Sequence, residues 1–247
     1  MTKPPPGFKS RRDKITDSTL AGRMKHTKVK TAKGRKISSK LWLERQLNDP
    51  YVQEAQRRGL RSRAAFKLIE LDEKFHFLKS GARVVDLGAA PGGWSQHAAE
   101  IVLKGKHGGH GKVVAIDIQE MEGLPDVTVL LKDFMEEDAP ALLKEALGGE
   151  ADIVMSDMAA PSTGHTATDH LRIMGLCEAA LHFATEVLAE DGVFLAKVLQ
   201  GGTEIALLNN LKKYFKTVKH AKPAASRADS AEMYVVAIGF KGRGAQE

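Results

Sequence analysis

A glycine-rich turn, Asp86-Leu87-Gly88-Ala89-Ala90-Pro91-Gly92-Gly93-Trp94, follows the apolar run Arg83-Val84-Val85 and opens a helical pattern. Glycines at a strand-to-helix junction let backbone pass close to a ligand with no Cβ in the way, and in open α/β sheets this junction is where nucleotide-like cofactors sit. A dinucleotide fingerprint GxGxxG would need glycine where Ala90 stands, and a Walker-type loop would need Gly-Lys-Ser or Gly-Lys-Thr, which does not follow. A loop that approaches its ligand closely but has no phosphate-gripping lysine suits S-adenosylmethionine, a nucleoside cofactor without phosphates.

Three aspartates stand where such a ligand would need acceptors. Asp117 ends the run Val113 to Ile116 and is placed to accept from ribose hydroxyls; Asp133 follows Val127 to Leu130 and is placed to accept from the adenine amino group; Asp157 follows Ile153 to Met155. Any one of them alone reads as a helix cap or a solvated turn. Three at successive strand ends beside the glycine loop form a constellation. Four arginines, Arg57, Arg58, Arg61 and Arg63, cluster where one helical pattern gives way to the next, and Arg227 lies farther along the chain. Their forked guanidinium groups suit phosphate recognition, with a solvated charged face as the alternative. His107 and His110 sit in a Gly-rich stretch with no companion cysteine or clear carboxylate pair, so no metal is expected there.

The elements that must position these residues follow from periodicity. The stretch from Leu41 to Gln56 has apolar residues at helical spacing with an interruption at Asp49-Pro50, and a second helix is expected from Arg63 to about Phe75. Short β-branched runs then alternate with helices: Arg83 to Val85, a helix after Gly93, Val113 to Ile116, Val127 to Leu130, a helix around Ala141 to Leu147, and Ile153 to Met155. After a helix from about Asp169 to Leu188 come Val193 to Ala196, a helix from Glu204 to Tyr214, a short run near Val218, and Tyr234 to Ile238. Strands separated by crossover-length helices predict a parallel sheet covered on both faces. The expected fold is therefore an α/β, Rossmann-like doubly wound sheet of about seven strands.

Charge divides the chain. Residues 1–40 hold thirteen Lys and Arg, from Lys3 to Lys40, against Asp13 and Asp17, a balance of +11; with +6 for all 247 residues, the remainder carries −5. A solvated, apolar-poor basic segment cannot form a core but can displace counterions from a phosphate backbone. We therefore expect residues 1–37 to be a basic, flexible tail and RNA-binding arm, the alternative being an inert solubilising tail, and residues 38–247 to be the catalytic domain. The single Cys177 excludes an intramolecular disulfide and reads as a small buried core residue. No long apolar run or secretory h-region occurs, which leads us to expect a soluble cytoplasmic protein without membrane contact.

Several stretches taken together, Ser62 to Leu68, Val84 to Gln96, Met155 to Ala159, Ala196 to Gly201, and Ser226 to Ala228 with Glu232 to Val235, resemble the FtsJ/RrmJ family of ribosomal RNA large-subunit methyltransferases, known also as RlmE. They run in family order from about residue 36 to 241. The resemblance implies a Lys-Asp-Lys-Glu tetrad carried by Lys67, Asp157, Lys197 and Glu232, with Lys197 as base, and cofactor contacts from Gly92, Trp94, Asp117, Asp133 and Asp157. It implies S-adenosylmethionine-dependent 2′-O-methylation of a uridine ribose in large-subunit ribosomal RNA, during ribosome biogenesis and in the assembled or nearly assembled 50S-type subunit. A monomer is the default. Transfer RNA as substrate, a non-catalytic ribosome-assembly factor and a nicotinamide-dependent oxidoreductase are the rival readings.

Overall fold

The computed structural model describes residues 37–104, 111–200 and 204–244. The expected basic tail therefore lies outside the described residues except for Ile37, as do His107 and His110. Helices α1 (Ile37–Leu47) and α2 (Pro50–Arg58) meet at the expected interruption. Asp49 caps α2 by accepting from the Tyr51 N–H at 3.0 Å, Pro50 occupies the first helical turn, where its missing N–H costs nothing, and Gly59 closes the helix in the left-handed conformation. Helix α3 (Ala65–Phe75) follows.

Seven strands then build one sheet: β1 (Arg83–Leu87), β2 (Lys112–Asp117), β3 (Val127–Leu131), β4 (Ala151–Ser156), β5 (Leu188–Leu199), β6 (Phe215–Ala221) and β7 (Glu232–Phe240), in the order β3-β2-β1-β4-β5-β7-β6. Helices α4 (Gly93–Val102), α5 (Ala139–Leu147), α6 (Thr166–Val187) and α7 (Glu204–Tyr214) connect them. The strand count matches the expectation from the sequence, but the sheet is mixed. Strands β1 to β5 pair in parallel, whereas β7 runs antiparallel to both β5 and β6. The reason is local: residues 222–231, which join β6 to β7, hold no helix, so the chain has no crossover with which to return to the same end of the sheet.

Both faces are covered, and strand periodicity divides them. Val84, Val113, Ile153, Met155, Val193, Leu195, Tyr234 and Val236 pack with Leu68 and Leu71 of α3 and Trp94, Ala98 and Val102 of α4. Their sequence neighbours Val85, Val114, Val154, Phe194, Ala196, Val235 and Ala237 face the other way, onto α5, α6 and α7. Cys177 is in this second core, and burial pushes its thiol up to about 12, as suits an inert packing residue.

The sheet is tight where β1 and β4 end. Gly88 has φ +76°, and a Cβ there would come within 2.8 Å of the Met158 Cα and 2.9 Å of its N. Backbone cannot yield as a side-chain tip can. Gly88→Ala is expected to cost about 1–3 kcal/mol of stability, the range for overpacking a rigid site, read as a lowered midpoint of urea unfolding at unchanged slope.

Candidate active site

The sheet's parity determines which side chains meet. On the face covered by α3 and α4, Ile153 and Met155 lead to Asp157 just beyond β4, and Val193 and Leu195 lead to Lys197 near the end of β5. Because β7 is antiparallel, it starts at that same end, with Lys197 opposite Tyr234 and Leu199 opposite Glu232. Lys67 comes down from α3, one residue before the core position Leu68. Four charged residues from four elements so occupy one rung above an apolar face.

They are paired as closely as their number allows. Lys197 Nζ donates to Asp157 Oδ1 at 2.9 Å and to the Asp157 carbonyl at 2.9 Å, and lies 3.5 Å from Glu232 Oε1. Lys67 Nζ donates to Glu232 Oε2 at 3.1 Å. The Lys197 side chain is 6% exposed and that of Lys67 10%. Burial works to discharge Asp157, Lys197 and Glu232, yet the opposite charges outweigh it. Asp157 is held below the usual carboxylate range against its burial by Lys197, Lys67 and a hydrogen bond from Tyr234, and Glu232 likewise by Lys67 and Lys197. Lys197 is held above the usual lysine range, because Asp157 and Glu232 override its desolvation. Lys197 therefore rests as an ammonium with its donors matched to three acceptors.

A fifth residue, Tyr234, joins the cluster without having been among the candidate site residues. Its hydroxyl donates to Asp157 Oδ1 at 2.6 Å, its ring packs 5.6 Å from that of Trp94, and the Lys67 ammonium lies 5.6 Å from its ring centroid. A tyrosine at the head of the apolar run Val235 to Ile238 was the available signal, since a buried hydroxyl needs a partner.

Asp157 also lines a cavity of ≈350 Å³, within the range of small-molecule sites, together with Gly88, Ala90, Asp117, Asp133 and Met158. The three aspartates singled out by their strand-end positions thus meet around one space. Asp117 accepts from the Ala90 N–H at 2.8 Å and the Gln119 N–H at 2.7 Å, which fixes the glycine loop against the end of β2. Asp133 is exposed and accepts from the Met135 N–H at 2.9 Å. Ile118 and Met135, 65% and 58% exposed, stand at the cavity with their apolar surface uncovered. Gly92 and Trp94 do not line it. Gly92 (φ +100°) caps α4, while the Trp94 indole is buried and donates to the Ala64 carbonyl at 2.9 Å. The Gly92 N–H donates to the Ala89 carbonyl at 2.7 Å, so what this stretch offers a ligand is the backbone of the first turn of α4, Trp94 included, where helix amides lack intrahelical partners. A larger cavity of ≈880 Å³ beside Asp72, His76 and His97 contains none of the tetrad.

A family model described as FtsJ-like methyltransferase matches residues 60–240, the whole stretch that carries the tetrad and the cavity. The chain belongs to the FtsJ-like methyltransferase family. It is 63% identical over 238 residues to the ribosomal RNA large subunit methyltransferase E of Paramagnetospirillum magneticum, covering 96% of this chain and 98% of that one. The protein of the same name from Rhodospirillum rubrum is 62% identical over 215 residues, covering 87% and 81%. A solved structure described as a ribosomal RNA methyltransferase from Plasmodium falciparum superposes with a TM-score of 0.66 at 32% identity, covering 74% of this chain and all of that one. Among the described residues of this FtsJ-like methyltransferase, no group of three or more His, Cys, Asp or Glu could hold a metal ion, and no helix is long and apolar enough to cross a membrane.

The arginine cluster is largely spent on the methyltransferase itself. Arg57 and Arg58 both bind Glu54, Arg63 binds the Ala225 carbonyl at 2.6 Å and Asp49 at 3.1 Å, and Arg61 binds backbone carbonyls. Arg227 differs: its Nε is buried without an acceptor, and its Nη2 lies 3.7 Å from Asp49.

Beneath the glycine loop, Asp86 is fully buried, accepts from Ser95 Oγ at 2.6 Å through Oδ2, and leaves Oδ1 without a partner. Burial, together with the charges of Asp157 and Asp117, pushes its carboxyl up to about 7, against the hydrogen bond from Ser95. A carboxyl raised on folding favours the folded state while it is protonated, and that advantage is lost as pH rises from the ordinary carboxylate range through 7. The stability of wild type relative to Asp86→Asn should therefore fall between pH 5 and pH 8, read from thermal midpoints of the ligand-free proteins; a constant difference would mean that Asp86 stays ionised throughout.

Proposed function

We propose that this chain transfers a methyl group from S-adenosylmethionine to the 2′-hydroxyl of a uridine ribose in large-subunit ribosomal RNA, in the assembled or nearly assembled subunit and hence in the cytoplasm. The observation that carries this reading is Asp157, which belongs at once to the cavity and to the charged cluster, in a chain 63% identical over 96% of its length to a protein named for that class of substrate. The cavity fits the cofactor: acceptors at Asp117 and Asp133 suit ribose and adenine, and the apolar surfaces of Ile118 and Met135 suit a base. Gly92 and Trp94, outside the cavity wall but in the loop and helix turn that follow Ala90, are assigned to the cofactor's carboxylate end through the backbone of the first turn of α4. The cofactor supplies a methyl carbon that is already electrophilic, so the protein's tasks are to align the hydroxyl and to dispose of one proton.

In this reading Lys67, Asp157, Lys197 and Glu232 are the catalytic groups. Lys197 takes the hydroxyl proton, which it can do only from its minor neutral form, and Asp157 and Glu232 then hold the ammonium that results. Lys67 places a positive charge where the ribose oxygen gains negative character. Tyr234 fixes the Asp157 carboxylate that orients Lys197. Arg227, whose guanidinium is least committed to the protein, meets a backbone phosphate, and the basic tail, residues 1–37, adds positive charge for RNA. The working unit is a monomer.

The test uses labelled S-adenosylmethionine with large subunits from cells lacking the enzyme and, in parallel, bulk transfer RNA. Label entering a subunit ribose supports the proposal, label in transfer RNA alone overturns the substrate, and RNA binding without label makes the protein an assembly factor. Lys197→Met should lower single-turnover transfer about 10²- to 10⁴-fold while S-adenosylhomocysteine affinity stays within about twofold. Because the Lys197 pKa is raised, its neutral fraction grows with pH across the whole working range. The wild-type transfer rate should accordingly climb about tenfold per pH unit from 6 to 9 without a plateau, and a flat profile would show that Lys197 does not act as the base.

A further inference from the structure

Arg61 stands in the linker between α2 and α3, outside the sheet, in a cluster whose residue type suggests phosphate binding. Its guanidinium is bound by the protein's own backbone. Nη1 donates to the Pro91 carbonyl at 3.4 Å and, through a short contact, to the Glu122 carbonyl, and Nη2 donates to the Gly123 carbonyl at 2.7 Å. Pro91 belongs to the glycine loop after β1; Glu122 and Gly123 belong to the connection between β2 and β3, which begins with Ile118 and Gln119 of the cavity wall. One side chain therefore ties together two loops that contribute residues to the cavity.

The latch is itself anchored. The Arg61 N–H donates to Gln96 Oε1 at 2.9 Å, and Gln96 Nε2 donates to the Gly59 carbonyl at 2.9 Å, so the linker is bound to the first turns of α4, the helix that the glycine loop opens. The fit is close: a Cβ on Gly92 would come within 3.1 Å of Arg61 Cδ and Nη1 and 3.3 Å of Leu124 Cδ1. The absence of a side chain at Gly92 thus makes room for the latch. Three carbonyl oxygens converge on one cation, shared between the two prongs of a planar, fixed fork, a spread that the single nitrogen of a lysine does not reproduce. Remove the cation and the carbonyl dipoles face one another, leaving the β2–β3 connection without its attachment to the loop beside it.

We propose that Arg61 is a positioning residue for the cofactor: it holds the β1–α4 and β2–β3 loops at the separation that the cofactor requires, and it is not an RNA phosphate contact. This rests on reading the ≈350 Å³ cavity as the cofactor site. Pre-organised loops spare the ligand the cost of ordering them, so the effect falls on cofactor affinity, with little on the chemical step once the cofactor is bound.

The experiment compares the full-length wild type, Arg61→Met, which keeps most of the volume without donors, and Arg61→Lys. S-adenosylhomocysteine binding is measured by calorimetry, and amide hydrogen exchange over residues 118–124 is measured on ligand-free protein. Wild-type binding comes first: failure there overturns the cofactor reading and not the latch. Arg61→Met should weaken binding at least tenfold and speed exchange over 118–124, Arg61→Lys should not restore either, and kcat at saturating S-adenosylmethionine should stay within about threefold. Unchanged ligand affinity overturns the proposal, as does a loss confined to large-subunit binding with a salt slope smaller by about one, the mark of a lost phosphate contact. If Arg61→Met does not fold, Gln96→Leu, which frees the linker while leaving the guanidinium in place, is put through the same binding and exchange measurements with the same outcomes deciding.

Discussion

Two ammonium groups and two carboxylates share a largely buried space, and this constraint orders much else. An unpaired charge at the depth of Lys197 would be discharged or expelled, so each member depends on the others remaining in place. Lys197 needs both Asp157 and Glu232, Glu232 is shared between the two lysines, and Asp157 takes a further hydrogen bond from Tyr234. Such a cluster is a poor source of net stability, since desolvation offsets much of its Coulomb energy. Its consequence is geometric. Four side chains from α3, the β4 terminus, β5 and β7 are held in one arrangement before a substrate arrives.

The sheet makes this arrangement possible with little specialised backbone. Along the face beneath α3 and α4, the positions Ile153, Met155, Val193, Leu195 and Val236 are apolar, and the same alternation carried one step farther delivers Asp157, Lys197 and Tyr234. The polar rung is a continuation of the core pattern past the point where helices cover it. Antiparallel β7 is the necessary exception. A parallel strand would carry Glu232 to the opposite end of the sheet, whereas reversal sets it at the carboxyl ends of β4 and β5, where the glycine loop and the three aspartates also gather.

This explains what could be read from the sequence. The break at Asp49-Pro50, the strands and the positions of Asp117, Asp133 and Asp157 depend on local signals: a cap, a missing N–H, runs of β-branched residues. Their meeting around one cavity followed from a general rule of α/β topology. The reversal of β7 was hidden because a strand carries no mark of its direction; the clue was the absence of a helix between Ala221 and Glu232. The tetrad was recognisable through family resemblance, yet the charge state of Lys197 was not, because it depends on two carboxylates that the sequence places 40 and 35 residues away. Trp94 shows the opposite limit. Its place in the loop motif draws attention to the indole, but the ring is buried in the core and only the backbone at that position faces the loop.

The arginines show the same limit on a larger scale. A guanidinium in a sequence looks the same whether it will meet a phosphate or a carbonyl of its own chain, and here Arg57, Arg58, Arg61 and Arg63 are largely occupied by Glu54, Asp49 and backbone oxygens. Their charge is therefore partly spent within the fold, in a body that carries −5 apart from residues 1–40. On the proposed function, long-range attraction to a polyanion comes mainly from those first forty residues, with +11, while the remainder contributes the few cations, Lys67 and Arg227 among them, that would meet the nucleotide at close range. Capture and chemistry would thus be divided between two parts of the chain: the first governed by net charge and sensitive to salt, the second governed by a charge-balanced cluster that salt barely reaches.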